Sequence, residues 1–317
     1  MEITYRIASD HGSRFIALDP NGHERSLILT AAIVRPIVGD VVIADDDDRI
    51  VALVARRSTL ARARAGGAPQ PIAANLDVVF VVTAPGRDFS PRRVERYLLA
   101  IHTGGIQPVI VLNKRDLADD LAALVAELVA VAGDAPVLTV AARDGAGCDA
   151  LLAHLPPGAT AALVGSSGVG KSTLANVLLG EAHFAIGDIR ASDGRGRHTS
   201  TRRELVALPD NAWLIDTPGM RAFAPWADDD ALNETFADIA EAAQRCRFRN
   251  CAHAGEPNCA VAEEIDPTRL TRWQTLRAEL AYLDRRDDPA LHAETRRRWK
   301  SLTKSQRAFN KLRTRED

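Results

Sequence analysis

The chain has 317 residues, of which 46% are hydrophobic and 26% charged, and its net charge at pH 7 is −2. This length allows two or three domains with separate cores, and the composition is ordinary for a soluble globular protein. The charge gives no overall indication of a nucleic-acid or membrane partner. Because the N-terminus lacks a signal pattern and no apolar run approaches the roughly 18–20 residues that span a bilayer, we expect a cytoplasmic protein without membrane contact.

Residues 1–72 are predicted to form an all-β domain. Short apolar runs are separated by turn sequences such as Asp19-Pro20-Asn21-Gly22, a pattern typical of short strands. Five such strands favour a small barrel of the OB type, which is a frequent oligonucleotide-binding scaffold. We interpret the aspartates at 45–48 as solvated surface and Ala61–Pro71 as a spacer. The expected strands are Tyr5–Ala8, Phe15–Leu18, Ser26–Ile33, Asp40–Ile43 and Arg49–Val54.

Residues 73–225 have the alternating pattern of an α/β domain. Helices are expected from Ser90-Pro91 onward and at Leu121–Ala132. The alternation implies a largely parallel sheet with helices on both faces. Residues 226–317 are expected to be helical and charged, and they end in a basic tail. The expected strands of the α/β domain are Asp77–Ala84, Val109–Leu112, Pro136–Val140, Ala161–Val164 and Ala212–Ile215.

The stretch Gly165–Ser172 has the form of a phosphate-binding loop between a strand and a helix. Its glycines allow backbone N–H groups to turn toward phosphates, and the helix N-terminus adds partial positive charge. Lys171 is expected to reach the β- and γ-phosphates and to act in catalysis, and Ser172 to supply an oxygen to Mg²⁺. The predicted residues of this site are Gly165, Ser166, Ser167, Gly168, Val169, Gly170, Lys171, Ser172 and Thr173.

The sequence Asn113-Lys114-Arg115-Asp116 is predicted to select guanine. The carboxylate of Asp116 accepts hydrogen bonds from the base N1–H and 2-amino groups, which adenine lacks. Lys114 is expected to lie along the base and Asn113 to hold the loop together. A backbone N–H near Ala142 is a second candidate base contact, although alanine occupies the preceding position, where serine is usual. Most GTPases place the phosphate loop first, so this motif order is circularly permuted.

Two further segments are expected to respond to the terminal phosphate of GTP. Asp216 is expected to hold Mg²⁺ through water, and the N–H of Gly219 to meet the γ-phosphate. In the polar segment upstream, either Thr199 or Thr201 completes the Mg²⁺ shell, and the sequence does not choose between them. Because Met220 cannot orient a water molecule, His198 is the candidate for that role; an exposed or RNA-contacting His198 is the alternative.

A metal site is indicated by three cysteines and one histidine with the spacing Cys246-x₄-Cys251-x-His253-x₅-Cys259. Three thiolates and an imidazole close a tetrahedral shell around Zn²⁺ and leave no open position, so the site is expected to be structural. An Fe–S centre is the less favoured alternative. The arginines that alternate with the ligands, at 245, 247 and 249, are either phosphate contacts or ordinary basic surface.

Together these residues resemble the RsgA (YjeQ) family of circularly permuted GTPases, which act in late maturation of the small ribosomal subunit. The resemblance rests on the permuted order, on Gly-Arg-Gly-Arg-His-Thr at 194–199, on the metal cluster, on Gly39-Asp40-Val41 and on residues 70–77. It implies an OB domain, a central GTPase domain and a zinc domain. It also implies GTP hydrolysis to GDP that the small subunit stimulates, contact with 16S rRNA, and support for His198 as a catalytic residue. We expect a monomer.

Two other functions are compatible with the same residues. An RNA-binding module that uses GTP only for structural stability predicts guanine binding without turnover. A P-loop kinase acting on a small molecule predicts an acceptor pocket and a catalytic acid, and the guanine-selecting motif and metal cluster argue against it.

Overall fold

The N-terminal region is a closed five-stranded barrel. The computed structural model describes residues 3–30, 33–64, 67–184, 203–216 and 229–287. Strand β4 pairs back onto β1, β3 and β5 run parallel, and the other pairs are antiparallel. Alternate side chains such as Ile7, Phe15 and Leu27 fill the interior, which confirms the predicted OB-type barrel. Its strands are β1 (Ile3–Asp10), β2 (Arg14–Leu18), β3 (Glu24–Leu29), β4 (Val41–Ala44) and β5 (Arg49–Leu53).

The aspartates at 45–48 form the turn between β4 and β5. The Asp45 carboxylate accepts hydrogen bonds from the amides of Asp47 and Arg49, at 3.1 and 2.8 Å. Asp48 adopts the left-handed conformation (φ 61°) and pairs with Arg25 at 2.6 Å. Aspartate tolerates that conformation and bonds to nearby amides, so the run specifies a turn as well as a charged surface.

The segment expected to be a spacer is instead an antiparallel hairpin, so that expectation was wrong. Strands β6 (Thr59–Arg64) and β7 (Gly67–Ala74) form a two-stranded sheet. The buried side chains of Leu60, Ile72 and Ala73 join the core of the following domain. The hairpin is therefore held by tertiary packing that its Ala-, Gly- and Arg-rich composition does not display.

The central region is a parallel sheet covered by helices on both faces, as predicted. The strand order is β10-β9-β8-β11-β13, all parallel, followed by β12, which is antiparallel to β13. The sequence did not predict β12. The strands are β8 (Val78–Thr83), β9 (Gln107–Leu112), β10 (Val137–Thr139), β11 (Thr160–Gly165), β12 (Glu204–Ala207) and β13 (Trp213–Asp216). The helices are α1 (Pro91–Thr103), α2 (Leu121–Ala132), α3 (Asp149–Leu152) and α4 (Lys171–Leu179).

The helix bounds follow local sequence signals. Ser90 is the N-cap of α1 and Pro91 is its first residue, where a missing N–H costs nothing. Asp120 caps α2 through a hydrogen bond from the amide of Ala123. Gly180 ends α4 in the left-handed conformation, with φ 74°.

The barrel and the central sheet are joined at a tight contact. Ser9 of β1 pairs with Glu204 of β12, so the two sheets are continuous. A Cβ atom added to Gly39 (φ 90°) would lie 2.1 Å from the carbonyl oxygen of Ala74, closer than any side chain allows. The buried Asp40 next to it forms two hydrogen bonds with Arg56, at 2.7 and 2.8 Å. Close packing therefore requires glycine at position 39, and the ion pair with Arg56 explains the buried aspartate at position 40.

The C-terminal described residues are helical, as expected. Helices α5 (Asp229–Thr235), α6 (Ala237–Ala243), α7 (Ala260–Glu264) and α8 (Pro267–Asp287) surround a small core that includes Phe236 and Trp273. Leu99 of α1 belongs to the same core, so this region packs directly on the central domain. Among the described helices, none is long and apolar enough to cross a membrane.

Candidate nucleotide site and metal centre

The predicted nucleotide-binding motifs meet at the carboxyl ends of the parallel strands. Gly165 ends β11, Asn113 follows β9 and Asp216 ends β13. This edge of an open α/β sheet is where such folds bind ligands. The sheet topology thus brings together residues that are far apart in the chain.

The phosphate loop depends on glycine at positions where a side chain would collide. A Cβ on Gly165 would lie 2.2 Å from the carbonyl oxygen of Val82, and one on Gly170 would lie 2.3 Å from Asn113 Nδ2. The ammonium of Lys171 donates to the carbonyl oxygens of Gly165 and Ser166, at 2.9 and 2.6 Å. Lys171 therefore lies across the mouth of the loop, where its charge can meet phosphate oxygens. Ser172 and Thr173 follow in the first turn of α4, where anions bind favourably.

Asn113 connects the three loops of the site. Its side chain is buried; Nδ2 donates to the carbonyl oxygen of Val169 at 2.8 Å, and Oδ1 accepts from the amide of Ala142 at 3.0 Å. Lys114, in the left-handed conformation, donates from Nζ to the carbonyl oxygen of Gly168 at 2.6 Å. The motif that is predicted to select guanine is therefore hydrogen-bonded directly to the phosphate loop.

The two candidate base contacts differ in their surroundings. Asp116 is exposed in a single 3-10 turn at Arg115–Leu117, where its carboxylate is open to a ligand. The amide of Ala142 is buried and already donates to Asn113. If the amide of Ala142 also donates to an oxygen of the base, it has to share its N–H between that oxygen and Asn113. The sequence did not predict this arrangement.

Several expected residues lie outside the described part of the chain. These are His198, Thr199, Thr201, Gly219 and the side chain of Asp216. Conversely, the sequence did not predict one contact at the phosphate loop: Arg93 of α1 donates a hydrogen bond from Nη1 to Ser166 Oγ. The only indication of this contact in the sequence is the pair of arginines directly after the start of α1.

The four predicted metal ligands converge. Their donor atoms all lie within 4.8 Å of one another. The Cys246 and Cys259 sulfurs are 3.9 Å apart, and His253 Nδ1 lies 3.7 and 3.4 Å from them. Tetrahedral zinc, with bonds of about 2.3 Å to sulfur and about 2.0 Å to nitrogen, places two sulfurs about 3.8 Å apart and a sulfur and a nitrogen about 3.5 Å apart. The cluster is compatible with a single zinc ion.

The surrounding residues hold this cluster on the helical region. Glu256 accepts hydrogen bonds from the amides of Ala252 and Ala254, which lowers its pKa to about 2. The side chain of Gln274 donates to the carbonyl oxygen of His253 at 2.8 Å, and the Trp273 ring lies 5.5 Å from the imidazole. The metal loop is thus fixed to α8, and hydrogen bonds of this kind hold the ligands of metal sites in position.

The fold and the site define a P-loop GTPase with circularly permuted motifs. A family model described as RsgA GTPase matches residues 53–226. The chain belongs to this family, whose members hydrolyse GTP. A second model, described as ABC transporter, matches residues 148–312, a range that includes the phosphate loop but not the guanine-selecting motif.

Relatives matched over most of the chain have one name, "Small ribosomal subunit biogenesis GTPase RsgA". The protein from Methanosarcina acetivorans is 42% identical over 290 residues, which cover 88% of this chain and 79% of that protein. That from Opitutus terrae is 45% identical over 271 residues, covering 83% and 74%. That from Xylella fastidiosa strain 9a5c is 49% identical over 254 residues, covering 78% and 74%.

Two solved structures share the fold. YjeQ from Thermotoga maritima has a TM-score of 0.68 and 24% identity, covering 89% of this chain and 99% of that chain. YloQ, described as a circularly permuted GTPase, has a TM-score of 0.62 and 22% identity, covering 89% and 96%. The resemblance inferred from the motifs is confirmed at the level of family and fold.

Proposed function

We propose that this protein is a Mg²⁺-dependent GTP hydrolase that acts in late assembly of the small ribosomal subunit and binds 16S rRNA. The observation that carries the proposal is the hydrogen bonding of Asn113 and Lys114 to the phosphate loop, because it couples guanine selection to phosphate binding. The names of its relatives support the ribosomal role. We assign the domains to residues 1–72, 73–225 and 226–317, in a cytoplasmic monomer; the hairpin β6–β7 crosses the first boundary and packs on the central domain.

Each residue of the nucleotide site has a proposed task. Asp116 selects guanine, and the loop amides from Gly165 to Gly170 surround the phosphates. Lys171 leaves the loop carbonyls that it contacts and stabilises negative charge on the β- and γ-phosphates. Ser172, Asp216 and either Thr199 or Thr201 hold Mg²⁺, which neutralises charge on the same phosphates.

His198 is proposed to orient the attacking water, because Met220 follows Gly219 where other GTPases carry a glutamine that does so. Because no glutamine follows Gly219, hydrolysis by the isolated protein is slow, and the ribosomal subunit accelerates it. GTP contacts the two segments around His198 and Gly219 and prepares the protein for subunit binding, and hydrolysis promotes release from the subunit.

The loop between the first two zinc ligands supplies an RNA-binding surface. Arg247, Phe248 and Arg249 are exposed there, and the Arg247 guanidinium lies 5.4 Å from the centre of the Phe248 ring. Cationic groups bind RNA phosphates and aromatic rings stack on unpaired bases. Arg245 forms an ion pair with Glu264, so we do not include it among the RNA contacts.

The test is GTP hydrolysis with and without purified small ribosomal subunits, for the wild type and for His198→Ala. We expect subunits to accelerate the wild type, and the variant to bind GTP normally but to respond weakly. Tight guanine binding without turnover, with subunits present, would instead identify an RNA-binding module that uses GTP only for stability.

A further inference from the structure

The start of helix α1 carries an unusual concentration of positive charge. Arg92 and Arg93 follow Pro91 directly, Arg96 lies one turn later, and the first turn contains no acidic residue. A helix N-terminus already has partial positive charge, so arginines there destabilise the helix. Arg96 pairs with Glu279 of α8 at 2.6 Å, and an anion near Arg92 and Arg93 would further stabilise this end of the helix.

The sheet topology places this helix end at the phosphate loop. Strand β8 leads into α1 and pairs in parallel with β11, with Val82 opposite Gly165. The exposed Arg93 donates from Nη1 to the hydroxyl of Ser166, and Lys171 donates to the carbonyl oxygen of the same residue. Two cationic side chains, one from outside the loop and one from within it, therefore meet at Ser166.

Ser166 lies in the part of the phosphate loop that the predicted guanine-selecting residues do not contact. Lys114 and Asn113, from the guanine-selecting motif, contact the other part of the loop, at Gly168 and Val169. We therefore expect the base on that side and the terminal phosphate on the side where Arg93 reaches Ser166.

Helix α1 is held firmly enough to position an arginine. Val94 and Leu98 are buried against the sheet. On a neighbouring face of the helix the carboxylate of Glu95 is buried, with Oε1 3.7 and 3.6 Å from Arg269 and Arg272 of α8. The backbone of Arg93 is thus fixed from two sides.

The side chain of Arg93 nevertheless has space to move. It borders a cavity of about 480 Å³ between α1 and α8. Burial raises the pKa of Tyr97, which lines the same cavity, and the charge of Arg93 opposes that rise. The exposed Arg93 guanidinium therefore has open space beside it.

We propose that Arg93 is a substrate-contacting residue of this GTPase, whose guanidinium moves from Ser166 Oγ to the terminal phosphate of GTP and stabilises the charge that develops there during hydrolysis. It supplies from within the chain what an arginine finger supplies from a partner. This inference rests on the proposed GTP hydrolysis and adds a residue to its site.

The test compares Arg93→Ala and Arg93→Lys with the control Arg92→Ala, which removes a neighbouring exposed charge from the same helix turn. Single-turnover GTP hydrolysis is measured with saturating small subunits, and affinities for GDP and a non-hydrolysable GTP analogue are measured with fluorescent nucleotides. Thermal unfolding verifies that each variant is folded.

We expect Arg93→Ala to slow hydrolysis by about 100- to 1,000-fold and to weaken binding of the GTP analogue more than binding of GDP. Millimolar guanidinium should restore part of the rate, Arg93→Lys should retain part of it, and Arg92→Ala should stay within about twofold of the wild type. Unchanged hydrolysis, or equal weakening of both nucleotides, would overturn the assignment. If the wild type does not hydrolyse GTP, the proposed hydrolytic function is wrong. The ratio of the affinities for the GTP analogue and for GDP then still shows whether Arg93 contacts the terminal phosphate.

Discussion

Replacement of Asn113 by alanine tests whether this residue holds the nucleotide site together. The substitution removes two buried hydrogen bonds, from Nδ2 to the carbonyl oxygen of Val169 at 2.8 Å and from the amide of Ala142 to Oδ1 at 3.0 Å. Val169 and Ala142 are 0% and 2% exposed, so water does not easily replace the lost partners. Each of the two buried groups left unpaired costs about 1–3 kcal/mol, so we expect the free energy of unfolding to fall by about 2–6 kcal/mol.

Urea denaturation of the nucleotide-free protein measures this loss. Lys114→Ala is the matched control, because it removes one hydrogen bond to the same loop from a less buried side chain, and it should cost less than about 1 kcal/mol. Asn113→Ala should also weaken GTP and GDP binding by the same factor, because Asn113 contacts the loop far from the terminal phosphate. If Asn113→Ala lowers the free energy of unfolding no more than Lys114→Ala does, Asn113 does not hold the site together. The same conclusion follows if the variant loses affinity for GTP but not for GDP.

Three further predictions concern the base, the domain contact and the metal. Asp116→Asn should shift nucleotide preference from guanine toward xanthine in competition binding, since an amide N–H then faces a base carbonyl; retained GTP preference would remove the assignment. Gly39→Ala should lower the thermal unfolding temperature, because its Cβ would lie 2.1 Å from the Ala74 oxygen in a conformation that costs alanine about 1 kcal/mol or more; an unchanged temperature would contradict that contact. Cys259→Ser should lower the zinc content, measured by atomic emission, and weaken small-subunit binding while leaving GTP binding intact; full zinc content would exclude Cys259 as a ligand.

The regular elements were predictable because local signals and tertiary packing agree in them. Helix α2 has the bounds expected from its apolar run, and Ser90-Pro91 specifies the start of α1. The metal cluster was predictable because its ligands lie within fourteen residues, Cys246 to Cys259, and because cysteine and histidine are the usual ligands of structural zinc.

The remaining features depend on contacts between distant parts of the chain. Strand β12 is four residues long and is held between β13 and a single pair with β1, so its pattern is too short to recognise. The hairpin β6–β7 was missed because only its tertiary packing identifies it. The contact between Arg93 and Ser166 spans 73 residues, and the use of the Ala142 amide by Asn113 involves a backbone group that no sequence pattern marks.

Small-subunit binding in two nucleotide states tests most directly whether GTP controls the interaction. The protein, loaded with a non-hydrolysable GTP analogue or with GDP, is sedimented with purified small ribosomal subunits, and the bound fraction is measured. We expect strong retention with the analogue and release with GDP, because we propose that the terminal phosphate prepares the C-terminal helical region and the barrel for binding. Equal retention in both states would contradict it.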